Sequence, residues 1–453
     1  MLTTSVKMNR QSIASFILVS LTSILLLSSC KKDIDRDNHQ SSKYSSEVLD
    51  KWMAMQVRLI KNTTGVANHA FTRHFAYSGI AALESLAPGM PAHSRWSEVW
   101  NGLAGLPVPD PSVKYYFPAN VNAAMAAVNR SFFPNASNAD KMAIDSLESA
   151  LKAAFHSTVS PEVINKSVAF GQSVAAAVFT WCETDGYKNG SGPYTPPVGD
   201  GLWVATPPAF ANAATPYWGN NRTIVAGSIN GARPEAPISY STDPKSSFYQ
   251  MAKQVYDVSL TLTADQKAMA MFWRDVPGAT TPGHWLSILQ QVVHSKKPGL
   301  DKAAIAYALT GVAINDAVIS CWKTKYHYNL LRPITYIRAV MGQTSWNSFL
   351  GTPAHPEYSS GHSVLSSAAA TALQEVFGNV YITDHTHDYL GFAPRSYSSF
   401  TAMAEEAAQS RVYGGIHFQQ TVDLGLIEGK KVANNILSRK NHKPSGKGLE
   451  SFY

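Results

Sequence analysis

Cysteine is scarce in this sequence, with only three in 453 residues, at Cys30, Cys182 and Cys321. Their spacing matches no zinc-binding motif, which excludes a structural zinc site built on cysteines. Because Cys30 closes the amino-terminal segment, Cys182 and Cys321 are the two that remain in the body of the chain. They could form one disulfide or stay buried as free thiols, and the sequence leaves both alternatives open.

Alternating apolar and polar residues, the pattern of β-strands, are rare, and no βαβ rhythm is present. Apolar residues recur instead at three- and four-residue spacing, as in 48–60, 68–86 and 139–155. With 45% hydrophobic residues the chain can bury a large core, which excludes disorder as its main state. The predicted fold class is mainly α.

Charged residues make up only 15% of the chain, although the formal net charge is +7. The positive excess lies at the ends, because residues 1–43 carry +3, residues 430–453 carry +5 and residues 44–429 carry −1. A body without net positive charge lacks the means to bind nucleic acid through counterion release. The sequence therefore predicts no nucleic-acid partner, and any basic site in the body must be a local cluster.

The amino terminus has the pattern of a secretory signal. After a short basic start comes an apolar stretch, residues 13–27, which is shorter than the roughly 20 residues of a membrane-spanning helix. The small residues before Cys30 resemble a bacterial lipoprotein cleavage box, and the alternative is a signal peptide with an incidental cysteine. We therefore expect a signal peptide (1–29) and a flexible tether (30–46). Resemblance to Bacteroidetes lipoproteins implies an outer-membrane lipoprotein anchored to lipid through Cys30, on the periplasmic or cell-surface side.

The mature chain divides by composition into four further segments. Helical periodicity fills the N-terminal half, residues 47–192, and returns over the C-terminal half, residues 247–438. Residues 193–246 hold nine of the 25 prolines, which predicts a long ordered loop or a hinge between the halves. Residues 439–453 form a basic tail.

Local signals place several helix starts. Ser160-Pro161 supplies a cap and a first-turn proline, and Thr263 with Gln266 has the pattern of a capping box. Further helices are predicted at about 284–296, 301–326, 361–377, 400–411 and 415–438.

Eight of the 14 histidines lie between His284 and His417, which is where a site is to be sought. The first block there holds Lys325 and Arg332, seven residues apart. On a helix this spacing is about two turns, so both cations would face one side and could grip one oxyanion. Taken alone, the block is better explained by a solvated basic face.

Two further blocks add to the first. Ser360-Gly361-His362 opens an alanine-rich apolar run, so a hydroxyl, an amide and a histidine stand at a helix start that attracts anions. In the third block, Arg411 and His417 would lie on different helix faces, but Gly414-Gly415 is expected to interrupt the helix and let both turn inward.

Together, Lys-x6-Arg-Pro, Ser-Gly-His and Ser-Arg-x5-His resemble the three-part signature of the vanadium-dependent haloperoxidase and type 2 phosphatidic-acid-phosphatase superfamily. The resemblance extends along the chain to its secreted bacterial haloperoxidase-like branch, through Thr206–Phe210, Phe272–Asp275, Pro282–Trp285 and Tyr413–Phe418. It implies a fold of two helical bundles with the site in the second.

The resemblance also implies residue roles. A vanadate or phosphate would be held by Lys325, Arg332, Ser360, Gly361 and Arg411. His417 would be the vanadium ligand or, in a phosphatase, the nucleophile, and His362 would be the acid–base group. Three cations around a tetrahedral anion also stabilise its five-coordinate state, which explains how one scaffold can serve both reactions.

Three other positions carry weaker resemblances. His355 stands where haloperoxidases place a histidine or phenylalanine near the halide entrance, and the histidine form resembles bromoperoxidases. Trp322 matches a tryptophan of fungal chloroperoxidases. Asp275 resembles an acid that pairs with Arg411 and orients it.

Two positions depart from the family pattern. Ser359 stands where a proline is common, which should affect only loop stiffness. Thr421 stands four residues after His417, where many members have an aspartate that orients the histidine. This departure puts the basicity of His417 in question.

Three functions follow as hypotheses. The first is a vanadate-dependent haloperoxidase that uses hydrogen peroxide to oxidise bromide or iodide in preference to chloride. The second is an acid phosphatase without a metal cofactor, which cleaves small phosphomonoesters through a phosphohistidine and is inhibited by vanadate. The third is a non-catalytic surface lipoprotein that binds an anion on the same scaffold.

Overall fold

The computed structural model describes residues 40–90, 98–276 and 279–440. Within them the fold is mainly α, as predicted, and its two short strands, β1 (Ile382–Asp384) and β2 (Arg395–Tyr397), form one antiparallel pair. The helices are α1 (Glu47–Asn62), α2 (Phe71–Glu84), α3 (Phe117–Phe132), α4 (Asn138–Phe155), α5 (Pro161–Cys182), α6 (Ser247–Leu260), α7 (Ala264–Phe272), α8 (Thr281–Lys296), α9 (Leu300–Tyr328), α10 (Pro333–Ala339), α11 (Gly361–Phe377), α12 (Phe400–Tyr413) and α13 (Gln419–Lys440).

Capping residues set several of these helix starts. The Ser160 hydroxyl accepts from the third amide of α5, and Pro161 occupies the first position, where its missing N–H costs nothing. Thr263 and Gln266 bond to each other's backbone amides, which confirms the predicted capping box of α7. These starts depend on residues within one turn, which is why the sequence revealed them.

The proline-rich segment 193–246 contains no α-helix and is tied to the rest of the protein by hydrogen bonds. The buried carboxylate of Asp316 on α9 accepts from the amides of Ile224 and Val225 at 2.7 and 3.0 Å. The amide of Trp203 donates to the carbonyl of Asn329 at 2.6 Å. The segment is therefore an ordered loop laid against α9, while the domain boundaries on either side of it stay a prediction.

Helix α9 is the central element of the core. It is long and apolar enough to cross a membrane, which the sequence analysis did not recognise, yet nearly all of its apolar stretch is buried among other helices. Its burial explains its hydropathy, because an element surrounded by protein is apolar on every face. The most extensive helix contact joins α9 to α2, so one core runs through both halves of the chain.

Cys182 and Cys321 are both buried and free, which decides between the two alternatives for this pair. Burial raises the pKa of each thiol to about 12, so both stay protonated near neutral pH. Cys30, the signal peptide and most of the tether lie outside the described residues, as does nearly all of the basic tail.

Candidate active site

Lys325 lies in the last turn of α9, whereas Arg332 lies beyond the end of that helix. Asn329 takes a left-handed conformation (φ 47°) that ends α9, and Pro333 then begins α10. The prediction that Lys325 and Arg332 share a helix face is therefore wrong. The reason is local, because the chain leaves the helix between the two cations.

The two cations nevertheless converge on one loop, residues 355–357. Lys325 Nζ donates to the carbonyl oxygens of Pro356 and Glu357 at 2.9 and 3.0 Å. Arg332 Nε donates to the carbonyl of His355 at 2.9 Å. Both side chains are fully buried, and this burial lowers the pKa of Lys325 to about 8 and that of Arg332 to about 10.

Ser360 caps α11, because its Oγ accepts from the amide of Ser363 at 3.4 Å. Gly361 begins the helix, where backbone amides have no acceptor within the helix itself. The Nε2 atom of His362 is buried and has no hydrogen-bond partner among the described residues. Burial, together with the charge of Arg411, lowers the pKa of His362 to about 3, so the ring is neutral near pH 7.

Gly414 and Gly415 separate the last two helices, as predicted. Helix α12 ends at Tyr413, and Gly415 takes a positive φ of 73°, a conformation that glycine adopts without strain. The break turns Arg411 and His417 into the same cavity, which an unbroken helix would not allow.

His417 is held from both ring nitrogens. Its Nδ1 lies 2.8 Å from Glu357 Oε1, and its Nε2 lies 3.2 Å from Arg332 Nη1. A guanidinium only donates, so this pattern assigns the proton to Nδ1 and the lone pair to Nε2. Burial and the nearby cations, Arg332 first, then Lys325 and Arg411, hold the pKa of His417 well below its usual range.

Arg411 does not form the predicted ion pair with Asp275 among the described residues. Its Nη1 donates instead to the carbonyl of Trp273 at 2.7 Å, an oxygen left free because Trp273 ends α7. Asp275 Oδ1 accepts from the amide of Thr281 at 2.8 Å and lies 3.9 Å from His362 Nε2. Burial lowers the pKa of Arg411 to about 10, and the charge of Asp275 opposes that fall.

A cavity of about 560 Å³ joins these groups, and both halves of the chain line it. His69, from the segment before α2, packs against Trp322 with ring centroids 4.4 Å apart, and Trp322 lies 5.2 Å from His355. His69 was not among the predicted site residues, because it stands far from the three blocks in the sequence. Lys325, Arg332 and Ser360 do not line the cavity but lie behind the residues that do.

His355 and Trp322 each have a hydrogen-bond partner for one ring nitrogen. His355 Nδ1 accepts from Arg332 Nη2 at 3.0 Å, and burial holds the pKa of this histidine well below its usual range. Trp322 Nε1 donates to Thr215 Oγ1 at 3.0 Å. Both therefore offer the cavity an uncharged aromatic wall, and their roles stay predictions.

Ser359 does more than the sequence analysis expected, because its hydroxyl donates to the buried carboxylate of Glu428. Glu428 also accepts from Ser320 and Thr324, at 2.6 and 3.1 Å. The loop before α11 is thus bonded to both α9 and α13.

The carboxylate of Glu357 is the group that the sequence analysis missed next to His417. Its Oε2 accepts from Thr421 Oγ1 at 2.8 Å, so the unexpected threonine reaches His417 through this glutamate. An acid three residues before Ser360 was the available signal, but nothing in the sequence connects it with a histidine 60 positions away.

The residues present fit a tetrahedral oxyanion. Arg411 Nε is buried without a partner among the described residues, and so is His362 Nε2. Both side chains line the cavity together with His417 and Gly361. Buried polar atoms are rarely left unpaired, so Arg411 Nε is suited to donate to an anion and His362 Nε2 to contact one of its oxygens. Among the described residues no group of three metal-ligating side chains occurs, and an oxyanion bound through one histidine needs none.

Comparison with known proteins identifies the family. Residues 305–445 match the family model described as the VCPO second helical-bundle domain. A bacterial vanadium-dependent iodoperoxidase is similar at 30% identity and a TM-score of 0.77, over 88% of this chain and 97% of that one. A holo-type bacterial vanadium-dependent chloroperoxidase shares the fold at 18% identity and a TM-score of 0.63, over 83% of this chain and 93% of that one. No curated protein matches the chain significantly.

The fold and the site thus define a helical-bundle protein with a cavity lined by Arg411 and several histidines. The chain belongs to the vanadium-dependent haloperoxidase superfamily and is an enzyme of haloperoxidase-like function. This confirms the family and the fold class predicted from the three blocks.

Proposed function

We propose that this protein is a vanadate-dependent haloperoxidase that oxidises a halide with hydrogen peroxide. The observation that carries the proposal is the state of His417, whose unprotonated Nε2 lies beside Arg332 in a cavity that also holds Arg411 and His362. A neutral imidazole nitrogen is a ligand for vanadium, and the unpaired donors around it suit the oxygens of vanadate. The 30% identity to an iodoperoxidase supports the same reaction.

Each residue has a defined part in this proposal. His417 Nε2 would be the protein ligand of vanadium, and Gly361 and Arg411 on the cavity wall would hold oxygens of vanadate. The resemblance implies further oxygen contacts with Lys325, Arg332 and Ser360, which lie directly behind the wall. Bound vanadate supplies a Lewis acid that activates hydrogen peroxide toward attack by a halide. Lys325 and Arg332 hold the loop behind His417, so they position it as well as contribute charge.

His362 is placed to accept a proton. With a pKa lowered to about 3 the ring is neutral near pH 7, and its Nε2 is free of other hydrogen bonds among the described residues. Arg411 opposes protonation of His362, whereas Asp275, 3.9 Å away, favours it. In this proposal the charge of Asp275, together with that of the bound anion, lets His362 take up the proton of an incoming peroxide.

The halide is proposed to be bromide or iodide in preference to chloride. His355 lines the cavity in the histidine form that resembles bromoperoxidases, and its wall with Trp322 and His69 is aromatic and uncharged. Removing water from a large polarisable anion costs less free energy than removing it from chloride. Bromide and iodide therefore enter a cavity with such a wall more readily.

The alternative is a vanadate-inhibited acid phosphatase. A lone pair on His417 Nε2, with Nδ1–H held by a carboxylate, is also what a phosphohistidine nucleophile requires. The two reactions differ in whether the oxyanion stays as a cofactor or is turned over.

Paired assays on one purified sample test the proposal. Bromination of a phenol dye and oxidation of iodide, each with hydrogen peroxide, are expected to appear on addition of vanadate, and phosphate release from a phosphomonoester is expected to be absent. Steady phosphate release that vanadate suppresses would establish the phosphatase instead. A sample that binds vanadate and shows neither activity would favour the non-catalytic alternative.

We also propose that the mature protein is an outer-membrane lipoprotein anchored through Cys30. The apolar segment 13–27 and the small residues before this cysteine support the proposal. Cells expressing the full chain are expected to incorporate labelled palmitate into it and to lose the label in Cys30→Ala, while Cys182→Ala, the matched control, keeps it. Equal labelling of Cys30→Ala would contradict the anchor.

A further inference from the structure

Glu357 is fully buried, and each of its carboxylate hydrogen bonds leads to the segment that carries His417. Oε1 accepts from His417 Nδ1 at 2.8 Å and from the amide of Phe418 at 3.0 Å. Oε2 accepts from Thr421 Oγ1 at 2.8 Å. Three donors on two oxygens fix the plane of the carboxylate and favour its charged form, against burial, which raises the pKa of Glu357 to about 7.

The contact at the other ring nitrogen, Nε2, shows what the bond from Nδ1 to Glu357 does for His417. Arg332 Nη1, which can only donate, lies 3.2 Å from Nε2. The ring is therefore held between a carboxylate at Nδ1 and a cation at Nε2. A carboxylate at the far nitrogen of a ligating histidine fixes its tautomer and orientation and raises its basicity.

We propose that Glu357, held in place by Thr421, is the positioning residue for His417. The family pattern puts an aspartate for this task at position 421, and this chain supplies the acid from the loop before α11 instead. Thr421 occupies the position of that aspartate but acts indirectly, since its hydroxyl donates to the glutamate that bonds to the ring. The inference rests on the proposed function only in taking Nε2 as the atom that meets vanadate.

Glu357 also lies near Lys325 and Arg332, so its charge could serve only to offset theirs. The two roles differ in what they change at the ring. A charge-balancing carboxylate acts on stability, whereas a positioning carboxylate also determines the hydrogen bond and proton site of His417. The test therefore needs a readout at the imidazole itself.

The experiment uses the full chain in four versions: wild type, Glu357→Gln, Thr421→Val and Asp316→Asn. Asp316→Asn is the matched control, because it neutralises another fully buried carboxylate, one that accepts from Ile224, Val225 and Ser228 and does not touch His417. Nitrogen NMR of histidine-labelled protein without any anion reads the proton site of His417. Calorimetric titration with orthovanadate, and with inorganic phosphate, reads the affinity for the anion.

The wild type is expected to carry the His417 proton on Nδ1, with the downfield proton signal of an imidazole bonded to a carboxylate. In Glu357→Gln that signal should move upfield, and vanadate affinity should fall about 10- to 100-fold. Thr421→Val, which removes one hydrogen bond to Glu357, should lower the affinity for vanadate about 3- to 10-fold. It is the more conservative variant and serves if Glu357→Gln folds poorly. Asp316→Asn should leave the His417 signal unchanged.

A wild-type His417 protonated on Nε2 would overturn the proposal. So would Glu357→Gln and Thr421→Val variants whose His417 signal and vanadate affinity match those of Asp316→Asn. The NMR readout needs no bound anion and no turnover. A carboxylate-bonded Nδ1 proton in a protein without haloperoxidase activity would therefore end the proposed function while leaving the role of Glu357 in place.

Discussion

A His417→Ala variant is expected to lose at least about a thousandfold of the peroxide-dependent halide oxidation, the scale seen when a group acting at the reacting centre is removed. The side chain is buried and lines the cavity, and its ring is held at both nitrogens with Nε2 unprotonated. Its loss removes the proposed vanadium ligand and leaves Glu357 without one of its three donors.

The measurement is steady-state iodide oxidation under saturating vanadate, with His294→Ala as the control. His294 is exposed and bonds to Asp50 on α1, so its removal tests the loss of a histidine outside the cavity. The control should keep full activity, and both variants should keep the circular dichroism spectrum of the wild type. The loss of iodide oxidation in His417→Ala would then come from the cavity and not from misfolding. Activity within tenfold of wild type in His417→Ala would contradict the ligand assignment.

A Gly311→Val variant is expected to lower the free energy of unfolding by about 3 kcal/mol, because overpacking of a close helix contact costs on this scale. A Cβ on Gly311 would lie 2.7 Å from Ala76 Cα, and one on Gly79 would lie 2.7 Å from the carbonyl carbon of Tyr307. The two glycines thus let α2 and α9 approach at backbone distance, and backbone atoms cannot move aside as a flexible side chain can.

Chemical denaturation followed by circular dichroism checks this expectation. Gly192→Val is the control, since its Cβ would meet Tyr217 at an ordinary 3.4 Å on the surface, and it should stay within about 0.5 kcal/mol of wild type. A Gly311→Val variant as stable as the control would mean that the α2–α9 contact is looser than the structure has it.

The parts of the fold that the sequence revealed are those set by neighbours along the chain. Ser160-Pro161 marked the start of α5, and residues 361–377 were predicted for α11 with the bounds observed. The Gly414-Gly415 break was equally local. The order of the three blocks then identified the family without any structure.

What the sequence did not reveal depends on contacts between distant segments. Glu357 lies inside the second block, yet its role follows only from a histidine 60 residues later. Among the described residues Arg411 forms its hydrogen bond with the backbone carbonyl of Trp273 and no ion pair with Asp275, and backbone acceptors leave no trace in residue identities. Likewise, the left-handed backbone conformation of Asn329 ends the helix that carries Lys325, so Arg332 lies outside that helix.

Titration of metal-free protein with orthovanadate, followed by peroxide-dependent iodide oxidation, tests the central claim most directly. Activity is expected to be absent at the start, to rise in proportion to added vanadate and to level off at one vanadium per chain, with no rise in His417→Ala. Full activity in vanadium-free protein, or a protein that vanadate only inhibits, would contradict the assignment as a vanadate-dependent haloperoxidase.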